Sequence, residues 1–274
     1  LLKMLSKRKF GYYSPKGLIK ALYFFFRISV SFGKLKKIFA WLLKRTNKEK
    51  PIDIIYHDVK FRIYPHNNTI ESKIFISSRL REGKELGIIQ NYIKGGGIFL
   101  DIGANIGYYS LMAAKFGAKK VIGIEPNPIV LDRFKENIKF NKFDKQIKTF
   151  QVGVGEKRET KELGLFNTDM GKSSIVNTKF NSDKVKIKIL PLSEILKKEG
   201  ISKVDVLKID IEGFEDKALF PYFKTLNKKS YPRLILMEDS SQSDWDENIL
   251  EWLFANGYRI LSRTRGNILI TPEK

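Results

Sequence analysis

From residue 98 onward, the apolar residues alternate between two spacings along the chain. Short apolar runs such as "IFLDI" and "VIGIE" predict buried strands, and the stretches between them repeat apolar residues at helical spacing. Strands are predicted at 98–102, 120–125, 147–154, 204–210, 233–239, 257–262 and 267–271. Helices are predicted at 106–117, 128–141, 191–199, 214–225 and 244–256.

Strands that alternate with helices predict an α/β fold with a seven-stranded, mostly parallel sheet covered on both faces. The last two strands are separated only by a short turn at Gly266, so they must form an antiparallel hairpin, because a parallel return needs a longer crossover. Residues 156–190 interrupt the alternation and predict an inserted loop with extra strands beside the active-site edge.

A small unit at residues 51–94 is predicted to pack on this core, which we take as residues 95–274. Apolar residues alternate with a period of two over 52–64, which predicts a β-hairpin with its turn at His57 and Asp58. The rest of the unit has a largely helical pattern, and a cluster of glycines ends it.

Residues 1–50 differ from the rest of the chain in charge. The protein has 51 Lys+Arg and 30 Asp+Glu, a net charge of +21, and residues 1–50 hold 14 of those basic residues against the single acid Glu49. Lysines interrupt the apolar stretch, so it is too short to span a bilayer and predicts a basic arm of two amphipathic helices broken near Gly33. An anionic membrane surface is one expected partner of the arm. Packing on the catalytic domain or in a homo-oligomer is the other, and a lysine-rich composition that only favours solubility is the third interpretation.

The residue types that are missing exclude several kinds of site. The chain has no cysteine and two histidines, which excludes a disulfide framework, a thiolate metal site and a multi-histidine metal centre. His57 and His66 are predicted to be solvated rather than catalytic. This composition fits a reducing compartment, so we expect a cytoplasmic protein that is peripheral at the membrane if the arm binds there.

The stretch "DIGANIG" ends the first strand of the sheet and begins its first helix. Gly103 and Gly107 permit a tight turn, and Asn105 tolerates unusual dihedral angles. Glu125 ends the next strand, where an acid can accept both hydroxyls of a ribose. A dinucleotide turn needs G-x-G-x-x-G, but here asparagine replaces the middle glycine and Asp101 would repel a pyrophosphate. S-adenosylmethionine (SAM) carries an ammonium group and a sulfonium and no phosphate, so the pattern favours SAM over NAD.

Three stretches, "FLDIGANIGYYSLMAA", "GIEPNP" and "VDVLKIDIEGFEDKAL", resemble the FkbM-type family of SAM-dependent methyltransferases over roughly residues 80–262. The resemblance implies the Rossmann-like class I methyltransferase fold and O-methylation of hydroxyls on sugars, polyketides and related metabolites. It implies that the methionine end of SAM lies at the glycine turn, the ribose at Glu125 and the adenine near Asn127 and Val154. The cofactor-binding residues that it implies are Asp101, Gly103, Ala104, Asn105, Gly107, Glu125, Pro126, Asn127 and Val154. An acid at Glu82 or Glu85 is expected to contact the amino group of SAM, unless both only lie on an exposed helix face.

Charged residues end two strands that should otherwise be apolar, because buried parallel strands carry few polar side chains. "LKIDIEGFE" brings Lys208, Asp210 and Glu212 to the edge of the sheet, and these three are the catalytic candidates. "RLILMEDS" brings Glu238 to the same edge. Since adjacent strands lie about 4.8 Å apart, Asp210 and Glu238 could approach each other. One carboxylate could be the general base for an acceptor hydroxyl, or Asp210 and Glu238 could hold Mg²⁺. In the structural alternative, Asp210 pairs with Lys208 and Glu212 caps the helix that follows.

We therefore expect a SAM-dependent O-methyltransferase that acts on a small-molecule, glycan, glycolipid or other natural-product hydroxyl. An RNA methyltransferase that uses the basic arm is the alternative among enzymes. Nucleic acid is the weaker partner, because residues 95–274 carry only 30 Lys+Arg against 24 Asp+Glu and show no recognisable RNA-binding module. An inactive membrane-surface scaffold is the alternative outside the enzymes, and the intact acids Asp101, Glu125, Asp210 and Glu212 argue against it.

Overall fold

The structure is a computed structural model that describes residues 8–28, 50–77, 79–166, 169–173, 183–240, 242–264 and 266–273. The helices in these residues are α1 Gly17–Ile28, α2 Thr69–Ile76, α3 Gly83–Ile93, α4 Tyr108–Lys115, α5 Pro128–Asn141, α6 Leu192–Lys198, α7 Glu215–Lys224 and α8 Ile249–Ala255. The strands are β1 Ile52–Tyr56, β2 Val59–Ile63, β3 Ile98–Ile102, β4 Lys120–Ile124, β5 Ile147–Phe150, β6 Gly153–Val154, β7 Glu159–Leu165, β8 Asp183–Leu190, β9 Val206–Ile209, β10 Leu234–Glu238, β11 Tyr258–Thr264 and β12 Asn267–Pro272.

The central sheet has seven strands in the order β11-β12-β10-β9-β3-β4-β5. β12 runs antiparallel to both of its neighbours, and the other adjacent pairs are parallel. This confirms the predicted mostly parallel sheet with a C-terminal antiparallel hairpin, which is the Rossmann-like methyltransferase arrangement. The chain leaves β3 toward β4 on one side and later returns to β9 on the other, so the strand order reverses between β3 and β9. In open α/β sheets, ligands bind outside the carboxyl ends of the strands at such a reversal.

Helices cover both faces of this sheet, because successive strand residues point to opposite sides. Phe99 packs with α3, α4 and α5 on one face, while the next residue, Leu100, packs with α6, α7 and α8 on the other. Val206 and Leu207 in β9 divide in the same way. The carboxyl edge of the sheet therefore lies between two packed layers that hold it rigid.

The small N-terminal hairpin has the predicted form. β1 and β2 pair antiparallel with Tyr56 opposite Val59, and His57 and Asp58 at the turn have φ of 47° and 60°. Two positive φ values in a two-residue loop are typical of the type I′ turn, whose twist suits a hairpin. The hairpin packs on α5, where the fully buried Arg62 pairs with Asp53 of β1 at 2.7 Å.

Two predicted elements are divided in the structure. The helical stretch between the hairpin and the glycine cluster forms α2 and α3, with residues 77–82 between them. The predicted strand 147–154 forms β5 in the central sheet and β6 in a separate sheet of order β6-β8-β7. This second sheet contains the extra strands predicted for the insert, because β7 and β8 pair antiparallel there. Apolar pattern alone does not show such a change of partner, since β6 remains buried after it leaves β5.

The first predicted helix of the basic arm is α1, and it packs against α2 through aromatic side chains. Phe75 lies 6.4 Å from Phe26 and 5.4 Å from Tyr23, measured between ring centroids. The second predicted helix of the arm, beyond Gly33, lies outside the described residues. Among the residues that the structure describes, no helix has the length and apolar character needed to cross a membrane.

Candidate active site

A cavity of about 290 Å³ opens at the carboxyl ends of β3, β4, β9 and β10. Residues at the beginning of α2, the beginning of α3 and the segment 169–173 of the insert complete its wall. Its volume is at the lower end of the range for small-molecule sites, which is about 300–1,000 Å³. The cavity lies at the reversal of strand order, where the fold predicts a ligand.

The glycine turn after β3 is wedged between β4 and β9. Gly103 has φ of 74°, and a Cβ built on it would lie 1.9 Å from the backbone oxygen of Asp210. Its N–H and that of Ala104 both donate to the carbonyl of Ile124, at 3.0 and 2.9 Å. Asn105 is also left-handed, with φ of 52°. Glycine is therefore required at 103 because the chain that follows β9 passes directly against it.

Glu125 is buried at the end of β4 and holds the glycine turn in place. Its two carboxylate oxygens accept hydrogen bonds from the backbone N–H groups of Asn105 and Asn127, each at 2.8 Å. Burial raises the pKa of Glu125 to about 7, although these two hydrogen bonds act in the opposite direction. The side chain also lines the cavity, so a hydroxyl of a bound ligand can donate to it.

Most of the predicted cofactor-binding residues line the cavity. These are Gly103, Ala104, Asn105, Glu125, Pro126 and Val154. Val154 lies on β6 near Leu163 and Phe214, which give that end of the cavity an apolar wall. Polar side chains line the cavity at the glycine turn and at the ends of β9 and β10, among them Asn105, Asp210 and Glu238.

The other three lie behind the cavity wall, so direct contact between them and a ligand is not supported. Asp101 is fully buried, and its carboxylate accepts from the Ser110 hydroxyl at 2.7 Å. A Cβ at Gly107 would lie 2.0 Å from the Phe134 ring, so this glycine allows α5 to pack against the turn. Asn127 caps α5, because its side-chain oxygen accepts from backbone N–H groups in the first turn of that helix.

The ends of β9 and β10 bring three carboxylates together. Asp210, Glu212 and Glu238 line the cavity and offer carboxylate oxygens that all lie within 4.8 Å of one another. Burial and then the nearby charge of Asp210 raise the pKa of Glu238 to about 7, while the Ser240 hydroxyl donates to Glu238 at 2.7 Å. A carboxyl group with this pKa can exchange a proton near neutral pH.

Lys208 is buried beneath these carboxylates. It donates to the backbone oxygen of Gly103 at 2.7 Å, and its Nζ lies 3.3 Å from Asp101 and 4.0 Å from Asp210. Burial alone would lower the pKa of Lys208, but the carboxylates of Asp101 and Asp210 outweigh it and raise that pKa. Lys208, a catalytic candidate from the sequence, therefore lines the cavity and joins the glycine turn to the carboxylate edge.

The segment before α7 is held by a carboxylate other than Glu212, the residue for which the sequence left a capping role open. Glu215 provides the hydrogen bonds before α7, because its carboxylate accepts from the N–H groups of Ile211 at 2.9 Å and Gly213 at 3.1 Å. Glu212 itself has φ of 56° and lines the cavity. A left-handed backbone at a residue other than glycine is uncommon and is concentrated at functional sites.

Sequence reasoning missed a connection across the cavity. Asp169 of the insert accepts from the backbone N–H of Thr69 at 3.0 Å and from the Thr69 hydroxyl at 2.5 Å. The N–H of Met170 donates to the carbonyl of Asn67 at 2.8 Å. The sequence does indicate where α2 begins, because Asn68 followed by Glu71 is a helix-capping pattern and Asn68 does cap α2. It does not indicate that Asp169 is the partner of this helix.

Of the remaining candidate side chains, one lines the cavity and the others do not. Glu82 lines the cavity at the beginning of α3, while Glu85 is buried and accepts from the Thr264 hydroxyl at 2.5 Å. Of the two acids considered for the amino group of SAM, Glu82 is the one in position. His57 and His66 are not among the residues that line the cavity.

The charge of the cavity distinguishes between cofactors. The acids that line it are Glu82, Glu125, Asp169, Asp210, Glu212 and Glu238, and the bases are Lys73, Arg81 and Lys208. Six acids against three bases give a negative lining, which suits a ligand with an ammonium group and a sulfonium and disfavours a pyrophosphate. The residues present therefore fit SAM.

Comparison with known proteins identifies the family. The Methyltransferase FkbM domain matches residues 101–260, which is more than half of the chain. Methyltransferase sdnD of Sordaria araneosa is 27% identical over 42% of this chain and 56% of its own length. Ribosomal protein L11 methyltransferase of Clostridium perfringens is 29% identical over 46% of this chain and 40% of its own length. The crystal structure of methyltransferase FkbM from Methylobacillus flagellatus has a TM-score of 0.49 at 20% identity, covering 79% of this chain and 49% of that chain.

The chain spans about half the length of the curated relatives that it matches. The matched domain begins at Asp101 in β3 and reaches into β11. It therefore includes the glycine turn and both strand ends that carry the carboxylates. This chain belongs to the FkbM methyltransferase family.

Proposed function

We propose that this protein is a SAM-dependent O-methyltransferase that acts on a hydroxyl of a sugar, a glycolipid or another natural product. Membership of a methyltransferase family implies SAM as the methyl donor. The observation that carries the proposal is the single cavity that reaches from the glycine turn and Glu125 to Asp210 and Glu238. One end can hold the donor while the other presents carboxylates to the acceptor.

The cofactor-binding end orients the donor. SAM, when bound, supplies an activated methyl group. The Glu125 carboxylate accepts hydrogen bonds from hydroxyls of the ligand, and the Glu82 carboxylate attracts its ammonium group. The apolar wall at Val154 and Leu163 excludes water from the adenine end. Orientation and desolvation are the main contributions that a protein makes when the cofactor carries the reactive group.

The carboxylate end removes the proton of the acceptor. In this proposal, Asp210 or Glu238 would accept the hydroxyl proton as the methyl group passes from the sulfonium sulfur to the acceptor oxygen, which leaves S-adenosylhomocysteine as the second product. The base must be ionised, so the rate rises with pH until Glu238 is deprotonated, near pH 7. Mg²⁺ is the alternative, because Asp210, Glu212 and Glu238 together offer the oxygen ligands that it prefers.

A transfer assay with radiolabelled SAM tests the proposal. The acceptors are sugars, glycolipids, RNA and ribosomal protein L11, the last because of the name of one relative. We expect label on a hydroxyl of a carbohydrate or lipid-linked acceptor. Label on RNA or on protein L11 alone would contradict the O-methyltransferase proposal, and RNA is included because the protein carries a net charge of +21.

Two variants test the carboxylates, and a chelator separates the general base from the metal. We expect Asp210→Asn and Glu238→Gln to lower kcat at least about 100-fold, the range for loss of a general base, while binding of S-adenosylhomocysteine is unchanged. If a general base is sufficient, EDTA leaves the activity of the wild-type protein unchanged. If Mg²⁺ is required, EDTA abolishes activity and added Mg²⁺ restores it.

A further inference from the structure

The helix α1 is apolar on two sides, and in the part of the chain that the structure describes one of these sides is buried while the other is largely exposed. Leu22 and Phe26 are 6% and 0% exposed and belong to the core. Leu18, Phe24 and Phe25 are 61%, 54% and 39% exposed. A helix that is apolar nearly all round normally lies in an interior, so the exposed side requires an explanation beyond the fold.

Exposed apolar side chains are concentrated around this helix. The structure gives seven large apolar side chains as exposed, among the residues that it describes. Three are those of α1, and Tyr12 lies just before the helix. Ile55 of β1 lies beside α1, because the Tyr23 hydroxyl donates to its carbonyl at 3.0 Å. Only Ile260 and Leu261, on β11, lie elsewhere, so the concentration marks a binding surface.

The charge around the surface indicates its partner. Residues 8–28 contain five basic residues and no acid, and residues 1–50 contain 14 basic residues and one acid. Lys16 and Lys20 are exposed at the beginning of α1, where their long side chains can lie along apolar groups while the ammonium ends reach phosphate. A second copy of this chain would bring two strongly positive segments together, and their repulsion disfavours it. RNA would contact the basic side chains but would leave the exposed leucine and isoleucine without apolar contacts.

We propose that the exposed side of α1, defined by Leu18, Phe24 and Phe25, docks on an anionic membrane surface. The apolar side chains enter the boundary between headgroups and acyl chains, and the lysines bind the anionic headgroups. This surface is separate from the cavity, so the proposal does not depend on the proposed function.

The position of α1 means that docking would bring the cavity close to the membrane surface. α1 packs on α2 through Phe26 and Phe75, and Thr69, Ile70 and Lys73 of α2 line the cavity. One helix, about 10 Å thick, therefore separates the membrane-docking helix from the cavity. A docked enzyme would meet an acceptor that is itself held in the membrane, which, together with the proposed function, favours a lipid-linked hydroxyl.

Vesicle flotation tests the docking. Full-length protein is mixed with vesicles of phosphatidylcholine alone or of phosphatidylcholine with phosphatidylglycerol, at about 0.1 M salt, where exposed charges still act over roughly 10 Å. We expect flotation with the anionic vesicles and loss of flotation at high salt. The triple variant Leu18→Ser/Phe24→Ser/Phe25→Ser should partition at least about tenfold more weakly, since three apolar side chains no longer enter the membrane.

Matched variants distinguish binding through this surface from nonspecific hydrophobic binding to vesicles. The double variant Ile260→Ser/Leu261→Ser removes the exposed apolar side chains on β11, and it should float as the wild type does. Lys16→Gln/Lys20→Gln should weaken binding about tenfold to anionic vesicles only. Thermal unfolding checks that the triple variant is folded, which we expect because it changes exposed residues.

Several results would overturn the proposal. One is a wild type that shows no preference for anionic vesicles, and another is a triple variant that floats as well as the wild type. Sedimentation could show a wild-type dimer that the triple variant converts to a monomer, which would assign the surface to a second copy. Binding of RNA that is lost in the triple variant would assign it to nucleic acid.

Discussion

At residue 103, any side chain would collide with the backbone oxygen of Asp210, and the left-handed φ of 74° disfavours it further. We expect Gly103→Ala to push the glycine turn away from the segment after β9. The variant should lose at least about 2 kcal/mol of unfolding free energy and bind S-adenosylhomocysteine too weakly to measure, because strain and a displaced turn act together. Denaturant unfolding and calorimetry measure the two effects.

Gly87 provides the control for this change. It lies inside α3, and a Cβ there would meet nothing within 4 Å. Gly87→Ala should therefore stabilise the protein by up to about 1 kcal/mol, because alanine favours a helix. Equal losses in both variants would show that the contact with Asp210 is not the cause.

Glu125 should make cofactor binding depend on pH. In the free protein, burial raises the pKa of the Glu125 carboxyl to about 7. A ligand hydroxyl that donates to Glu125 favours the ionised carboxylate and so lowers this pKa in the complex. Affinity for S-adenosylhomocysteine should therefore be constant above pH 7 and fall by up to tenfold for each pH unit below it. Calorimetry between about pH 5 and pH 8 measures this dependence.

Two variants identify the titrating group. Glu125→Gln should bind more weakly at high pH and show little dependence on pH. Glu238→Gln should keep the wild-type dependence, although Glu238 also has a pKa of about 7. A wild-type affinity that does not change across this range would contradict the role given to Glu125.

At the scale of elements, the insert is joined to α2 by one carboxylate. Asp169→Ala removes the hydrogen bonds to the N–H and hydroxyl of Thr69 and to the N–H of Gly171. We expect S-adenosylhomocysteine to dissociate faster and its Kd to rise about tenfold, because the segment 169–173 is part of the cavity wall. Stopped-flow binding measures the dissociation rate.

The control for this change lies in the same insert. Glu162 forms an exposed ion pair with Lys184 at 3.0 Å, and exposed pairs contribute about 0–1 kcal/mol. Glu162→Ala should leave the dissociation rate unchanged. If Asp169→Ala behaves in the same way, the connection to α2 does not retain the cofactor.

The sequence predicted the elements of the central sheet because their apolar pattern records burial directly. It also predicted that Asp210 and Glu238 end neighbouring strands, since the topology follows from the alternation of strands and helices. It could not show that β6 leaves the central sheet, because both possible partners would bury the same side chains. The pairing of Asp169 with Thr69 was also beyond it, since 100 residues separate them and neither has an unusual neighbour.

Asp101 and Lys208 show a second limit of sequence reasoning. A charged residue at a strand end was taken as a group that faces the ligand, and Glu125 and Asp210 do line the cavity. Asp101 is instead fully buried behind the wall, where Lys208 reaches from the cavity to within 3.3 Å of its carboxylate. Only the direction in which each side chain points separates these two cases, and sequence does not contain it.

At the scale of the whole molecule, Arg62 joins three parts of the chain. Its side chain is fully buried, pairs with Asp53 at 2.7 Å and Glu136 at 2.6 Å, and donates to the carbonyls of Arg8 and Lys9. The N-terminal segment, the hairpin and α5 therefore meet at one guanidinium. Because Asp53 is buried as well, loss of the arginine would leave its charge without compensation.

We expect Arg62→Met to cost about 3–5 kcal/mol of unfolding free energy, the range for breaking a buried ion pair. Arg158→Met is the matched control, since its pair with Glu194 is exposed and should contribute less than about 1 kcal/mol. Denaturant unfolding of both variants measures the difference. A small effect at Arg62 would mean that the N-terminal segment is held mainly by the apolar contacts of α1.

The two ends of the cavity belong to different sheets. Asp210 follows β9 and Glu238 ends β10 in the central sheet, while Val154 and Leu163 lie on β6 and β7 of the small one. In the proposed function, the carboxylates that face the acceptor and the apolar wall at the adenine therefore belong to separate structural units. Exchanging the small sheet for that of a relative should alter how long the spent cofactor stays bound, and substitutions after β9 and β10 should alter which hydroxyl is accepted. Turnover and specificity can then be engineered one at a time.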